Sequence, residues 1–377
     1  MKDSLPESTP LRNDIMLMIP GPVSVDRTVL EEMASPLTPH YGDDWGRFYG
    51  ETIELLRLVH GTSGRVFLLI GSGSAGLDAV IGTTASTVDR LLVLSNGFFG
   101  ERIEEIARTH TVHVSVLNFP WGTPVSVDAV DEALADGPAS AVIVAHCETS
   151  TGVLNPVEQI AAVCRRHNAM MVVDAISSLG IEPLWMDDWG IDVCVSASQK
   201  GLEAPPGLAT VAVGEKAWQH LANATPHGWY LNLIVWDRFE KEWKDWHPHP
   251  VTHAVNNVRA FNAALRQVLD EGMERRWTRH RATAERIRFG LKSLAITPVV
   301  ADEFCSHGVT AAVPETESGR LAERLRTEHG ILIAGGLGAW KGRIIRIGHM
   351  GPGATSPAAD RLLSAAREAV HALSDML

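Results

Sequence analysis

A lysine and an aspartate that each follow an apolar run are the first residues here that could do chemistry. Lys200 comes just after Val193-Cys194-Val195 and lies among small residues, where poor solvation lowers the pKa of an amine. A neutral amine attacks carbonyl groups, so Lys200 is a Schiff-base candidate, although most lysines are ordinary surface residues. Asp174 follows Met170-Met171-Val172-Val173 and could hold a cation such as a protonated pyridine nitrogen, or could cap a helix.

A glycine-rich turn is the third candidate, because backbone N–H groups at a helix N-terminus bind phosphate. The turn, Gly71-Ser72-Gly73-Ser74-Ala75-Gly76, follows an apolar run and precedes a helix-like stretch. It also fits the pattern of nicotinamide dehydrogenases, which requires an acidic residue at the end of the next strand. That strand ends in Ser95-Asn96-Gly97, so a phosphate site without dinucleotide recognition is favoured. Glycines that serve packing alone are the simpler alternative.

Together these candidates match the three requirements of pyridoxal 5′-phosphate. The turn would cradle its phosphate, the lysine would react with its aldehyde, and the carboxylate would hold its ring-nitrogen proton. The combination is far more specific than any one of its parts.

The elements that must position these residues are short apolar strands that alternate with helices. The apolar runs are 65–70, 91–94, 141–145, 170–173 and 193–195. Continuous apolar strands are buried on both faces, which requires helices between them and a mostly parallel sheet. One such helix, 157–166, is opened by Asn155-Pro156, a cap residue followed by proline. The predicted fold class is therefore α/β.

A second region begins near Ala254, where apolar residues recur at helical spacing toward Gly272. A basic helix, strand candidates at 309–313, 331–334 and 344–347, and a final helix follow, an order typical of a smaller α+β domain. We expect an N-terminal arm over residues 1–18, a large cofactor-binding domain over 19–260 and a small C-terminal domain over 261–377. The acids Glu274 and Glu285 interleave with the basic residues of the basic helix, so we interpret it as solvated rather than as a nucleic-acid patch.

Composition and charge argue against several classes of protein. The chain of 377 residues has 33 basic and 45 acidic side chains, a formal charge of −12 that opposes nucleic acids and anionic membranes. No run of 18 apolar residues occurs, and the polar N-terminus does not look like a signal peptide. The four cysteines match no zinc spacing, so reduced thiols, a cytoplasmic location and no metal site are expected.

Seven motifs are spread over nearly the whole chain. They are Ile19-Pro20-Gly21-Pro22, Gly71-Ser72-Gly73, His146-Cys147-Glu148-Thr149-Ser150-Thr151-Gly152, Val173-Asp174, Ser198-Gln199-Lys200-Gly201-Leu202 with Ala204-Pro205-Pro206-Gly207, Gly335-Gly336-Leu337-Gly338, and Arg343-Ile344-Ile345-Arg346-Ile347-Gly348-His349-Met350-Gly351. With these motifs the chain resembles the class V, fold-type I aminotransferases of the alanine–glyoxylate and serine–pyruvate group. The resemblance implies a large domain with a mostly parallel sheet, a smaller C-terminal α+β domain, and a homodimer with active sites at the subunit interface.

The resemblance also implies a role for each site residue. Lys200 would hold pyridoxal 5′-phosphate as a Schiff base and shuttle a proton, while Asp174 would hold the proton of the ring nitrogen. Arg346 would bind the substrate α-carboxylate bidentately, and Gly21 would lie beside the substrate. The other cofactor contacts would be Ser72, Gly73, Ser74 and Gln199 at the phosphate, Phe99 and Ile176 on the two ring faces, and Thr149 at the ring hydroxyl.

Two positions depart from the pattern of many relatives. Pro248 stands where a threonine of the neighbouring subunit commonly helps to bind the phosphate, and His40-Tyr41 replaces a His-Arg pair near the entrance. The first change removes that phosphate contact or moves it to a histidine. Both changes leave the identity of the substrate undetermined.

The segment 228–249 is unusually aromatic. Spacings of seven residues would align Trp229, Trp236 and Trp243 on one helix face. Such a face would serve packing in the core or in a dimer, or it would form an aromatic wall for a substrate larger than alanine. A metal pair of His247 and His249 is a minor alternative, since no third ligand is evident.

The leading functional hypothesis is a transaminase that moves an amino group between a small amino acid, such as alanine or serine, and a 2-oxo acid, such as glyoxylate or pyruvate. The same cofactor also supports β-elimination, decarboxylation or deamination of a larger amino acid. A catalytically silent protein is disfavoured, because Lys200, Asp174 and Arg346 are all present.

Overall fold

The computed structural model describes residues 15–88 and 90–374, so residues 1–14 of the expected arm lie outside it. The strands in these ranges are β1 (Met16–Leu17), β2 (Arg65–Ile70), β3 (Leu91–Ser95), β4 (Val114–Asn118), β5 (Ala141–Ala145), β6 (Cys147–Glu148), β7 (Val153–Leu154), β8 (Met170–Asp174), β9 (Val193–Ala197), β10 (Leu208–Val213), β11 (Ile296–Pro298), β12 (Val309–Pro314), β13 (Ile331–Leu332), β14 (Ala334–Gly335) and β15 (Ile345–Gly348). The α-helices are α1 (Arg27–Met33), α2 (Asp43–His60), α3 (Gly73–Ala85), α4 (Phe98–His110), α5 (Val127–Asp136), α6 (Val157–Arg166), α7 (Met186–Trp189), α8 (Glu215–Leu221), α9 (Leu233–Glu242), α10 (Val255–Glu271), α11 (Met273–Lys292), α12 (Ser318–His329) and α13 (Ser356–Ser374). Among the helices of the described residues, none is long and apolar enough to cross a membrane.

The main sheet has seven strands in the order β2-β10-β9-β8-β5-β3-β4. Strand β10 is antiparallel to both of its neighbours, and every other pair is parallel. The continuous apolar strands β3, β5 and β9 are buried at every residue, because helices cover both faces of the sheet. The predicted α/β class with a mostly parallel sheet is confirmed.

Two apolar cores lie on the two faces of this sheet. Helices α2, α6 and α10 contribute to one core, and α3, α4, α8 and α9 contribute to the other. The strand register sets Asp174, at the end of β8, opposite Ala145 of β5 and Val195 of β9. The carboxyl ends of these parallel strands therefore meet at one edge, where ligands of open α/β sheets bind.

A second, antiparallel sheet has the order β11-β12-β15-β14 and shares a core with α11, α12 and α13. The strand predicted at 331–334 is divided, because β13 pairs with β1 whereas β14 pairs with β15. The predicted domain boundary at residue 260 falls inside the continuous helix α10 and stays a prediction.

Helix α6 has the predicted bounds, but Asn155 does not cap it. Pro156 occupies the N-cap position, and no side chain caps the helix. The Asn155 amide instead donates to the carbonyl of Ala145 at 2.8 Å, and its oxygen accepts from Val125 N at 3.0 Å. Asn155 thus joins the end of β5 to the loop before α5.

The predicted alignment of three tryptophans on one helix face is wrong. Helix α9 starts only after Asn232, whose side chain accepts from the N–H groups of Ile234 and Val235, and it is too short to include all three. Trp236 lies inside the helix and is buried, whereas Trp229 and Trp243 flank it and are about half exposed.

The interpretation of α11 as a solvated basic helix is wrong for two of its arginines. Arg276 is only 1% exposed and donates to the carbonyl oxygens of Gly180 and Gly201, with Glu203 as an ion-pair partner. Arg288 is also buried and donates to the carbonyl of Ser306. These side chains join α11 to neighbouring segments, which helical periodicity cannot indicate.

Candidate active site

A cavity of about 280 Å³ lies at the edge where the strands of the main sheet end. Of the predicted site residues, it is lined by Gly21, Ser72, Gly73, Ser74, Phe99, Thr149, Asp174, Ile176, Gln199 and Lys200. Arg346 does not line it but contacts Thr149, which does. The chain thus brings together lining residues from six separate segments.

Lys200 lies in the turn that follows β9, and its Nζ donates to the carbonyl of Pro20. The pKa of Lys200 is lowered to about 8, chiefly by burial and also by the charge of Arg346, against the opposing effects of Cys147 and Asp174. Part of the amine is therefore neutral near neutral pH. Gly21 makes the close approach possible, since a Cβ there would lie 2.5–2.8 Å from Cδ, Cε and Nζ of Lys200, and its φ of +96° also favours glycine.

Asp174 is the last residue of β8, and its carboxylate accepts from Ile176 N at 2.9 Å. Turns rather than a helix follow it, so the helix-cap alternative is wrong. Burial raises the pKa of Asp174 to about 7, although the bond from Ile176 opposes the rise. A cation beside this carboxylate would restore its ordinary ionisation.

The glycine-rich turn leads directly from β2 into α3. Ser72 occupies the N-cap position without a capping bond from its side chain, so the first-turn N–H groups of α3 have no side-chain partner there. Gly73 packs against Ile176: a Cβ at position 73 would lie 2.8 Å from Cγ1 of Ile176 and closer still to Cδ1. The Gln199 side-chain oxygen nearby is buried and accepts no hydrogen bond from the described residues. The N–H groups at the uncapped start of α3 are the kind of donors that bind an anion.

Glu148 positions Phe99 and was missed by sequence reasoning. Its buried carboxylate accepts from the N–H groups of Phe99, Gly100 and Ser150 at 3.0–3.1 Å, and so caps α4 from a distant segment. Burial raises the pKa of Glu148, whereas these hydrogen bonds lower it. Gly97 is required because a Cβ there would lie 2.5 Å from the carboxylate carbon.

Thr149 and Arg346 meet behind the cavity. The Thr149 hydroxyl donates to Ser177 Oγ at 2.6 Å, and Arg346 Nη1 donates to the Thr149 carbonyl at 3.3 Å. Arg346 Nε also donates to the carbonyl of Gly335 at 2.8 Å, and the side chain is only 7% exposed. Burial lowers the pKa of Arg346, an effect that Glu148 partly opposes, and among the described residues no carboxylate forms an ion pair with it. Three of its five N–H donors therefore remain for a ligand.

Six further lining residues were not predicted, and the three of them with polar or charged side chains are Arg102, Cys147 and Ser177. Burial raises the pKa of the Cys147 thiol, so it stays protonated. Ser177 directly follows Ile176, and Cys147 lies two residues before Thr149, so the motifs themselves offered a signal for both. Arg102 lies one helical turn after Phe99 and carried no such signal.

The segment around Pro248 lies apart from this cavity. Pro248 is buried, whereas Thr252, four residues later and just before α10, is exposed. The rings of His247 and His249 are 4.6 Å apart, but both ring nitrogens of His249 are engaged, with Trp45 Nε1 at 2.8 Å and the Val251 carbonyl at 2.7 Å. Among the described residues, no group of three or more potential ligands is arranged to hold a metal ion.

Comparison with known proteins decides the family. A family model described as aminotransferase class-V matches residues 57–341. The chain is a class V aminotransferase. This aminotransferase is 38% identical over 340 residues to an uncharacterised aminotransferase of Methanocaldococcus jannaschii, with 89% of this chain and 88% of that protein covered.

Two other proteins are similar to this aminotransferase over most of its length. L-aspartate–glyoxylate aminotransferase of Paracoccus denitrificans is 30% identical over 352 residues, which cover 89% of this chain and 86% of that protein. The crystal structure of alanine–glyoxylate aminotransferase from Nostoc sp. matches with a TM-score of 0.90 at 28% identity, covering 97% of both chains. The predicted family and the fold-type I architecture are confirmed.

Proposed function

We propose that this aminotransferase binds pyridoxal 5′-phosphate in the 280 Å³ cavity and moves an amino group between a small amino acid and a small 2-oxo acid. The observation that carries the proposal is that Lys200, Asp174 and the turn at Gly73 all line this one cavity. When bound, the cofactor supplies an aldehyde that takes up the amino group and a ring that withdraws electrons from the substrate Cα.

Several features of the cavity support the fit of this cofactor. The start of α3 has no side-chain cap, and Ser72, Gly73, Ser74 and Gln199 all line the cavity, so backbone N–H groups, hydroxyls and the Gln199 amide N–H2 would hold the phosphate. The ring would lie between Phe99 and Ile176, which come from different segments and both line the cavity. The Thr149 hydroxyl, paired with Ser177, would bind the ring hydroxyl.

Lys200 and Asp174 would perform the proton chemistry. The pKa of Lys200, lowered to about 8, makes its neutral amine accessible both for the covalent link to the aldehyde and for moving the proton of the substrate Cα. The protonated ring nitrogen of the bound cofactor would be a cation beside Asp174 and would keep this carboxylate ionised, and Asp174 would in turn hold the ring-nitrogen proton in place. Burial of both groups excludes water and strengthens their interaction.

Arg346 would bind the substrate α-carboxylate. Two of its N–H groups are fixed by the carbonyl oxygens of Gly335 and Thr149, so the guanidinium is held in one orientation before substrate arrives. The remaining donors can bind a carboxylate in a planar, bidentate arrangement. Gly21, whose missing side chain leaves Lys200 accessible, would lie beside the substrate.

Glyoxylate or pyruvate is the acceptor that we propose. The Nostoc and Paracoccus proteins are both named for glyoxylate, whereas their donors are alanine and aspartate. These names favour transamination over β-elimination or decarboxylation. Because they agree on the acceptor and differ in the donor, they support the proposed class of acceptor more strongly than any one amino donor.

We also propose a cytoplasmic homodimer whose active sites lie near the subunit interface. Thr252 is exposed before α10, whereas Pro248 is buried, so Thr252 is the better candidate for a hydroxyl that reaches the phosphate of the neighbouring subunit. Light scattering of the purified protein tests the dimer, and mixing Thr252→Ala subunits with Lys200→Ala subunits tests whether a site is shared.

A panel of amino donors with glyoxylate or pyruvate tests the proposed reaction. Formation of 2-oxo acid from the donor, in equal amount to the new amino acid and without ammonia or carbon dioxide, is the expected result. Release of ammonia would indicate elimination or deamination, and release of carbon dioxide would indicate decarboxylation; either result as the main reaction would contradict the proposal.

A further inference from the structure

Arg102 brings a full positive charge to the cavity, and the mechanism above does not use it. Its side chain lines the same cavity as Ser72 and Ser74. Its guanidinium carbon lies 5.0 Å from the ring centre of Phe98 and 5.4 Å from that of Phe99. No hydrogen bond or ion pair joins it to another residue in 15–88 or 90–374, and the neighbouring carboxylate, Glu101, accepts from Trp121 instead.

The packing of two helices places Arg102 beside the phosphate end of the cavity. Strands β2 and β3 run in the same direction, so α3 and α4, which follow them, start at the same edge and run parallel. At the end of α4, His110 packs against Gly82 near the end of α3, and its Nε2 lies 2.7 Å from Oδ1 of Asp78, one turn earlier in α3. Counting eight residues back from His110 leads to Arg102, and counting eight back from Gly82 leads to Ser74. Because eight residues span about 12 Å of either helix axis, Arg102 and Ser74 lie at the same level.

The charge of the phosphate end also calls for a cation. The expected phosphate contacts, Ser72, Gly73, Ser74 and Gln199, are hydroxyl, N–H and amide groups without a full positive charge. A phosphate monoester carries a charge of about −1.5 to −2 near neutral pH. Among the described residues that line the cavity, Arg102 is the charged side chain that remains besides Lys200 and Asp174, which the proposed chemistry already uses.

We propose that Arg102 supplies the positive charge of the phosphate subsite. The inference rests on the proposed occupation of the cavity by pyridoxal 5′-phosphate and assigns to that cofactor a residue outside the recognised motifs. The aromatic rings of Phe98 and Phe99 hold the guanidinium at the start of α4, so Arg102 also connects the phosphate end to the ring that covers the cofactor.

Equilibrium binding of two matched ligands tests this assignment without any turnover. Pyridoxal 5′-phosphate and pyridoxal share the aldehyde and ring, and differ only in the phosphate. We expect Arg102→Met, which keeps an apolar stem against the phenylalanines, to raise the Kd of pyridoxal 5′-phosphate about tenfold while the Kd of pyridoxal changes less than about twofold. Arg102→Lys should restore most of the affinity, and added salt should weaken phosphate binding more in the wild type than in Arg102→Met.

Arg108→Met is the matched control, because Arg108 lies on the same helix and pairs with Glu104. It should leave both Kd values unchanged. An equal loss of affinity for the two ligands in Arg102→Met would overturn the proposal and assign Arg102 to the positioning of Phe99. Unchanged binding of both ligands, with a loss of kcat/KM confined to donors that carry a second acidic group, would overturn it in favour of a substrate subsite. Because binding alone is measured, a wild type that binds the cofactor but does not transaminate contradicts the proposed reaction and leaves this test intact.

Discussion

Replacing Arg346 by lysine is expected to damage substrate binding while it leaves the cofactor in place. Arg346 Nε and Nη1 donate to the carbonyl oxygens of Gly335 and Thr149, and the other N–H groups stay available for a carboxylate. A lysine ammonium on the same buried strand keeps the charge but cannot make both carbonyl contacts and a bidentate pair at once. The variant therefore loses about one charge-assisted hydrogen bond, which corresponds to about 2–3 kcal/mol.

Steady-state kinetics with an α-amino acid and glyoxylate measure this loss. A cost of about 2–3 kcal/mol lowers kcat/KM by about 30- to 150-fold, while the absorbance of bound pyridoxal 5′-phosphate should match that of the wild type. Arg343→Lys is the control. Arg343 is exposed and lies before β15, so its replacement should change kcat/KM less than about twofold. Damage by Arg343→Lys and a benign Arg346→Lys would refute the proposed carboxylate site.

Three further variants test separate parts of the site. Asp174→Asn should abolish turnover. Burial raises the pKa of Asp174 from 3.8 to about 7, so the folded wild type without cofactor binds an extra proton between these pH values and loses stability as the pH rises through them. The variant should therefore melt at a higher temperature than the wild type at pH 8 but not at pH 4. Glu148→Gln leaves α4 N–H groups without carboxylate acceptors and should lower the free energy of unfolding by about 1–3 kcal/mol in urea titrations, whereas Glu101→Gln, on the same helix, should not. Gly73→Ala would push Ile176 into the cavity and should raise the Kd of pyridoxal 5′-phosphate about tenfold with little change in melting temperature; an unchanged Kd would contradict the close packing at this turn.

The residues that sequence reasoning placed correctly at the cavity are those whose position follows from the end of one strand. Lys200, Asp174 and Gly73 stand where apolar strands of a parallel sheet end, and such ends meet at one edge. Periodicity and local motifs were therefore sufficient to place them. Family resemblance then added Arg346, which lies in a different sheet and meets the site through Thr149.

The residues that were missed act across long separations in the chain. Glu148 caps a helix that starts about fifty residues before it, and Ser177 receives its hydrogen bond from Thr149, 28 residues away. The tryptophan spacing in 228–249 was misread for a related reason, because the cap at Asn232 and the shortness of α9 override the seven-residue repeat. Burial of Arg276 likewise depends on carbonyl oxygens that its own helix does not provide.

Trapping the cofactor on its lysine tests the central claim most directly. Purified protein loaded with pyridoxal 5′-phosphate would be reduced with borohydride, digested, and analysed by mass spectrometry for the modified peptide. We expect the adduct on the peptide that contains Lys200, because this amine lines the cavity and burial lowers its pKa to about 8, and we expect none in Lys200→Arg. An adduct on another lysine of the wild type, or the absence of any adduct, would contradict the proposed site and its chemistry.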